Sequence, residues 1–220
     1  MDRWATFDCY GTLIDWERGI RQALAHLWPG NDAHTLLSRY HEIEPRVQAG
    51  PFLPYREVMA RTLEAVAAGE GLELRPLDRE ALAESLPTWP AFPEVPQTLE
   101  EVASRGWRLA VLSNTDPDLL AASIMNFGVQ PDLVVTAGDA GSYKPAHGHW
   151  NVFRERTQAN SARPVHVAAS LFHDIAPAAE LGIPAVWVNR LGEKSDLPRA
   201  AELPDLAGLP DTLDELVPDR

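Results

Sequence analysis

The sequence predicts an α/β fold: a doubly wound parallel sheet forming a Rossmann-like core, with a helical cap domain inserted after the first strand. Three observations predict it. Short apolar runs at 4–7, 108–112, 133–136, 165–168 and 185–188 are mostly continuous rather than alternating, the pattern of parallel strands covered on both faces. Helical patterns lie between the later runs, for example at 118–127 and 150–157, so that region reads as βαβ repeats. Between the first run and the others lies 16–88, helical in periodicity and too long for a crossover connection.

In chain order, the first strand runs into a polar turn over 8–15. Helices are expected over 17–27, 32–48, 54–68 and 78–85, punctuated by Pro29 and Gly30, by Gly50 and Pro51, and by the segment 69–71. Repeated prolines stiffen a linker at 87–93, and a second linker falls near 14–16. Two linkers side by side make a hinge on which the helical unit closes over the sheet edge. The expected division is therefore a core of 1–15 with 89–220 and a cap of 16–88.

Composition narrows the function. The chain of 220 residues is 45% hydrophobic, which suits a globular core and excludes disordered or low-complexity architectures. Its formal charge of −13, with no run of Lys or Arg, argues against nucleic acid, which needs a basic stripe. A single cysteine, Cys9, permits no internal disulfide and fits a reducing compartment. No apolar run approaches the roughly 18 residues of a spanning helix, and the start lacks a signal pattern, so a cytoplasmic location and no membrane partner are expected. The oligomeric state is open, a homodimer included.

Ligands of open parallel sheets bind beyond the carboxyl ends of the strands. Four polar clusters follow four of the expected strands: Asp8 to Thr12, Ser113 to Asp116, Ser142 to Pro145, and Ser170 with Asp174. Together they bring carboxylates, one lysine, hydroxyls and amides to one edge. F-D-C-Y-G-T-L-I-D-W at 7–16, L-S-N-T-D at 112–116, S-Y-K-P at 142–145 and A-S-L-F-H-D at 169–174 resemble, in order, the four motifs of the haloacid dehalogenase superfamily. The resemblance spans nearly the whole chain and implies the same sheet and inserted cap.

It also implies roles. Asp8 is the expected nucleophile, a carboxylate that forms an ester or acyl phosphate later cleaved by water. Gly11 allows a tight turn beside it, and Thr12 offers a hydroxyl to the carboxylate or to substrate. Lys144 is one of only two lysines, with Lys194, in a chain that otherwise uses arginine for its cations. An ammonium beside Asp8 keeps that carboxylate ionised. Asp174 matches the residue that holds this lysine.

Superfamily phosphatases carry a second aspartate two positions after the nucleophile, where this chain has Tyr10, and a Gly-Asp pair opening the fourth motif, where it has Ala169 and Ser170. Both departures weaken a Mg²⁺ site and remove a proton donor for an alcohol leaving group. They resemble instead the L-2-haloacid dehalogenase branch, with an aromatic residue at Tyr10 and no metal or other cofactor. A halide leaves without a proton. The branch implies Ser113 as binder of the substrate carboxylate, Asn114 beside the halide, a cap arginine near the leaving group that is either Arg39 or Arg46, and Trp150 where the branch has tyrosine. Ala169 and Leu171 replace the residues that orient water there, so His173 is the first candidate base, with His147 and His149 also near in sequence. Strand alternation turns Cys9 away from Asp8, as a packing residue.

The expected function is a hydrolase of the 2-haloacid dehalogenase type, displacing a 2-substituent of a small carboxylic acid through an aspartyl ester at Asp8. A Mg²⁺-dependent phosphatase and a catalytically silent small-acid binding protein are the alternatives.

Overall fold

The structure is a computed structural model that describes residues 2–157 and 162–219, and every candidate site residue falls among them. Its centre is a six-stranded parallel sheet in the order β3-β2-β1-β4-β5-β6, formed by β1 (Asp2–Phe7), β2 (Arg108–Ser113), β3 (Leu133–Thr136), β4 (Ala162–Ala168), β5 (Ala185–Val188) and β6 (Ala201–Leu203). The chain builds outward from β1 to β3, then crosses back to place β4 on the other side of β1. That reversal makes the carboxyl end of β1 the topological switch point, where a ligand crevice is expected. The expected strands are all present, and β4 begins earlier than its apolar run. The short edge strand β6 adds to them.

Alternation along each strand builds two cores. Ala5, Phe7, Val111, Val167 and Val186 face one side. Trp4, Leu112, Ala168 and Trp187 face the other, against Trp150 and Phe153 of α8 (Gly148–Arg156). Cys9 belongs to the first side and is fully buried, in keeping with a packing role.

The insertion forms α1 (Trp16–Leu27), α2 (Ala33–Gln48), α3 (Tyr55–Glu70) and α4 (Ala81–Ser85). Asp15 accepts from Arg18 N to cap α1, and Asp32 accepts from His34 N and Thr35 N to cap α2. Where a break was expected at 69–71, α3 runs through Gly69 and ends on Gly71, whose φ of +66° suits glycine. Expected helix 78–85 is instead a 3₁₀ turn at Pro76–Asp78 followed by α4. The two linkers lie side by side: Asp15 N donates to Pro90 O at 2.9 Å and Phe92 N to Leu13 O at 3.0 Å. Gly19 of α1 lets Trp89 approach so closely that a Cβ there would lie 2.3 Å from the indole. The helices α5 (Val95–Ser104), α6 (Pro117–Ile124), α7 (Ala137–Ala140), α9 (Ala176–Glu180) and α10 (Leu209–Leu216) complete the core. Among the described residues no helix is long and apolar enough to cross a membrane.

Candidate active site

Asp8 follows β1 directly, and its backbone N–H still donates to Val167 O of β4 at 3.1 Å, so the sheet ladder fixes where the side chain starts. It continues the face of Trp4 and Thr6. Gly11, at φ +91°, then turns the chain back, a conformation that a residue with a Cβ rarely adopts.

Lys144 is buried, and its Nζ donates to Asp8 Oδ1 at 2.8 Å, to Asp174 Oδ1 at 2.6 Å and to Leu112 O at 2.9 Å. All three ammonium protons are thereby engaged, which fixes the charge in one place. Thr12 donates to Asp8 Oδ2 at 2.9 Å while accepting from Ala169 N at 2.9 Å, tying the first motif to the fourth. Each Asp8 oxygen keeps a lone pair for chemistry. Burial pushes the Asp8 carboxyl up from its ordinary value, with the Lys144 charge pulling it back. For Asp174 burial works the same way, but Lys144 and the His166 hydrogen bond outweigh it and hold that carboxyl far below the usual carboxylate range.

These groups open into a cavity of about 400 Å³. Tyr10, Ser113, Asn114 and His173 all line it. Ser113 is fully buried and its Oγ has no hydrogen-bond partner, an orphan that a ligand oxygen would satisfy. The Tyr10 hydroxyl pairs with Ser123 Oγ at 3.0 Å, and its ring stands edge-on to Trp89. Asn114 is engaged at both ends of its amide: Oδ1 accepts from Lys144 N at 2.7 Å and Nδ2 donates to Lys144 O at 3.0 Å. It clasps the lysine's main chain from the cavity wall. His173 Nδ1 pairs with Ser170 Oγ at 3.1 Å, and burial pulls its imidazole below the ordinary value, so the ring is neutral near pH 7.

Three expected binding residues are not in the cavity. Arg39 points outward, half exposed, and pairs with Glu42 at 2.8 Å and Glu70 at 3.0 Å. Arg46 is exposed and lines no part of the cavity. The helix explains both: Glu44 and Gln48 of α2 share the cavity-facing side, and at 3.6 residues per turn Arg39 and Arg46 lie roughly 140–180° away around the axis. Trp150 is a core residue packed between α8 and the sheet with Trp4 and Phe153, edge-on to His166, and lines no part of the cavity. His147 and His149 are elsewhere as well, the first paired with Glu180 on the surface and the second buried with Nε2 at 3.0 Å from Ser113 O. Replacing Arg39 and Arg46 together by Ala is expected to leave kcat/KM within about twofold, as for surface changes generally. A tenfold loss in steady-state kinetics would return them to the site.

Several residues escaped the motifs. His166, on β4, is fully buried between Thr6 Oγ1 at 2.9 Å and Asp174 Oδ1 at 3.0 Å, so a hydrogen-bonded chain runs from Thr6 through His166, Asp174 and Lys144 to Asp8. Arg190, after β5, donates to Thr12 O at 2.9 Å, pairs with Glu94 at 2.8 Å and stacks 3.6 Å over Phe92 at the cavity wall. Glu44, Gln48 and Tyr55 form the wall on the helical side. Asp116, the last residue of the second motif, accepts from Tyr55 N and Arg56 N, both at 2.9 Å, capping α3 from the core.

The donors suit Mg²⁺ poorly. A hard dication wants several free carboxylate oxygens; here Asp8 and Asp174 share the Lys144 ammonium, Asp174 Oδ1 also meets His166 and only its Oδ2 is unpartnered, and Tyr10, Ala169 and Ser170 add no carboxylate.

A sheet whose switch point holds a lysine-paired carboxylate under a helical insertion is the architecture of one hydrolase class. The chain belongs to it: the family described as haloacid dehalogenase-like hydrolase matches residues 3–182. Among its relatives, the (S)-2-haloacid dehalogenase of Pseudomonas sp. (strain YL) is 25% identical over 192 residues, 84% of this chain and 82% of that protein. The phosphoserine phosphatase of Thermus thermophilus is 32% identical over 196 residues, 85% of this chain and 76% of that protein. In fold it is similar to the L-2-haloacid dehalogenase from Xanthobacter autotrophicus with chloropropionic acid covalently bound, at a TM-score of 0.87 and 20% identity, covering 99% of this chain and 100% of that one.

Proposed function

We propose that this hydrolase displaces a substituent, most simply a halide, from C2 of a small carboxylic acid through an ester on Asp8. The observation that carries the reading is the Asp8–Lys144–Asp174 cluster beside Tyr10, which stands two positions after Asp8 in place of the carboxylate that would protonate an alcohol. An Asp8 oxygen attacks C2, the new C–O bond forms, and the carbon–halogen bond breaks with its electron pair leaving on the halide. Water then attacks the Asp8 carbonyl carbon, the acyl C–O bond breaks, and a 2-hydroxy acid and one proton are released. His173, on the cavity wall with burial holding its imidazole below the ordinary value, takes that proton. Ser113 receives the substrate carboxylate, Lys144 and Thr12 hold the nucleophile, Asp174 holds Lys144, and Asn114 sets the Lys144 main chain. Residues 16–88 act as the cap, hinged at the paired linkers.

The 32% identity to a phosphoserine phosphatase favours a second reading, a phosphatase acting through the same Asp8. One assay separates them. Halide release from 2-chloro acids is expected to persist with excess chelator. Phosphate release from phosphoserine that requires Mg²⁺, without halide release, would establish the second reading instead. Ligand binding with neither reaction would leave a silent small-acid binder.

A further inference from the structure

The helical wall of the cavity holds a carboxylate without a cation. Three acids are buried among the described residues: Asp8, Asp174 and Glu44. The first two share Lys144. Glu44 has no lysine, arginine or histidine within 4.0 Å among those residues; its Oε1 accepts from the Tyr55 hydroxyl at 2.7 Å. Arginines on the same helix turn outward, Arg39 to Glu42 and Glu70. Proteins seldom bury a carboxylate unpaired, because desolvation penalises the charged form, and burial does push the Glu44 carboxyl up from its ordinary value. Glu44 nevertheless opens onto the cavity beside Gln48. The rim adds Asp15, Glu17 and Glu193, while its one arginine, Arg190, is already paired with Glu94. The outer cavity is thus negative. At its inner end, Ser113 Oγ is buried and unpartnered beside the Asp8–Lys144 pair. At about 400 Å³ the space falls within the roughly 300–1,000 Å³ of ordinary ligand pockets, more than a three-carbon acid fills.

We propose that the substrate is zwitterionic: a 2-substituted acid whose carbon chain carries an ammonium group, received by Glu44 and Gln48 while its carboxylate lies at Ser113 and C2 at Asp8. The ligand supplies the cation that the fold withholds from Glu44. This rests on the reading above for the orientation of the acid end and adds the substrate class.

The test compares three chain ends on one backbone: 2-hydroxyheptanoate, 6-amino-2-hydroxyhexanoate and 2-hydroxyheptanedioate, titrated calorimetrically into the full chain, with halide release measured on the matching 2-chloro acids. The amino acid is expected to bind at least about tenfold tighter than the methyl-ended one, the scale of a charge-assisted hydrogen bond. In Glu44→Gln, which keeps an acceptor for Tyr55, the preference is expected to shrink to about twofold. Equal binding of the methyl and ammonium ends overturns the proposal, as does a preference for the second carboxylate, which would make Glu44 a protonated donor. The wild-type series decides the matter even if the variant does not fold. Ammonium preference without halide release keeps this inference and sinks the dehalogenase reading; halide release without the preference does the reverse.

Discussion

Asp8→Asn is expected to abolish turnover, by on the order of 10⁴–10⁶-fold, as losing the nucleophile of a covalent mechanism does. The substitution is nearly isosteric, and the Asn oxygen can still accept from Lys144 Nζ, which sits 2.8 Å from Asp8 Oδ1. Folding should therefore survive while the attacking anion is lost. Isotope placement then separates a nucleophile from a bystander. In heavy-oxygen water with enzyme in excess, the first product should carry an unlabelled hydroxyl, because its oxygen comes from Asp8. After many turnovers, peptide mass spectrometry should find label in the Asp8 carboxylate, since each hydrolysis installs one water oxygen there. Label in the first product and none in the protein would mean direct attack by water, and the ester reading would fall.

The residues that were legible share a physical property: they end strands or lie in the segments that follow them. Parallel strands end in one crevice whatever lies between them, so Asp8, Ser113, Lys144 and Asp174 could be gathered from short motifs without knowing any helix. Arg190 follows β5 as those residues follow their strands, and the same rule applied to the loop after Val188 finds it. Helices resist this logic. A motif counts residues along the chain, but what reaches a cavity from α2 depends on rotation about its axis, and that is set by packing of Leu36, Leu37 and Tyr40. Glu44 therefore takes the inward place. Trp150 fails for the same reason, since α8 turns it down onto the sheet with Trp4, Phe153 and Trp187. His166 sits in an apolar strand pattern, where a lone histidine carries no signal until its neighbours Thr6 and Asp174 are placed. The strand β6, Ala201–Leu203, is too short and too polar in its flanks to stand out.

Lys144→Met is expected to cost both activity and stability, and the two losses separate. The ammonium stands between two buried carboxylates, 2.8 Å from Asp8 and 2.6 Å from Asp174. Removing one partner of a buried ion pair typically costs about 3–5 kcal/mol, because the remaining charge is left uncompensated. Here two such charges remain, so the loss should reach the top of that range. In the wild type, Asp174 is held far below its ordinary pKa, a contribution present above the unfolded value and lost only in strong acid, so it is constant between pH 7 and 5. In the variant, burial and mutual repulsion raise both carboxyls above their unfolded values. The folded state then binds more protons than the unfolded one, and its stability falls as pH rises. The variant's Tm is accordingly expected to climb relative to the wild type on acidification from pH 7 to pH 5. Adding Asp174→Asn removes one of the two stranded charges and should restore part of the stability at pH 7, with activity still reduced by on the order of 10²–10³-fold or more for want of the charge beside the nucleophile. A Lys144→Met protein with wild-type Tm at pH 7 would show that these carboxylates do not depend on the ammonium, and the electrostatic account of the nucleophile would have to be abandoned.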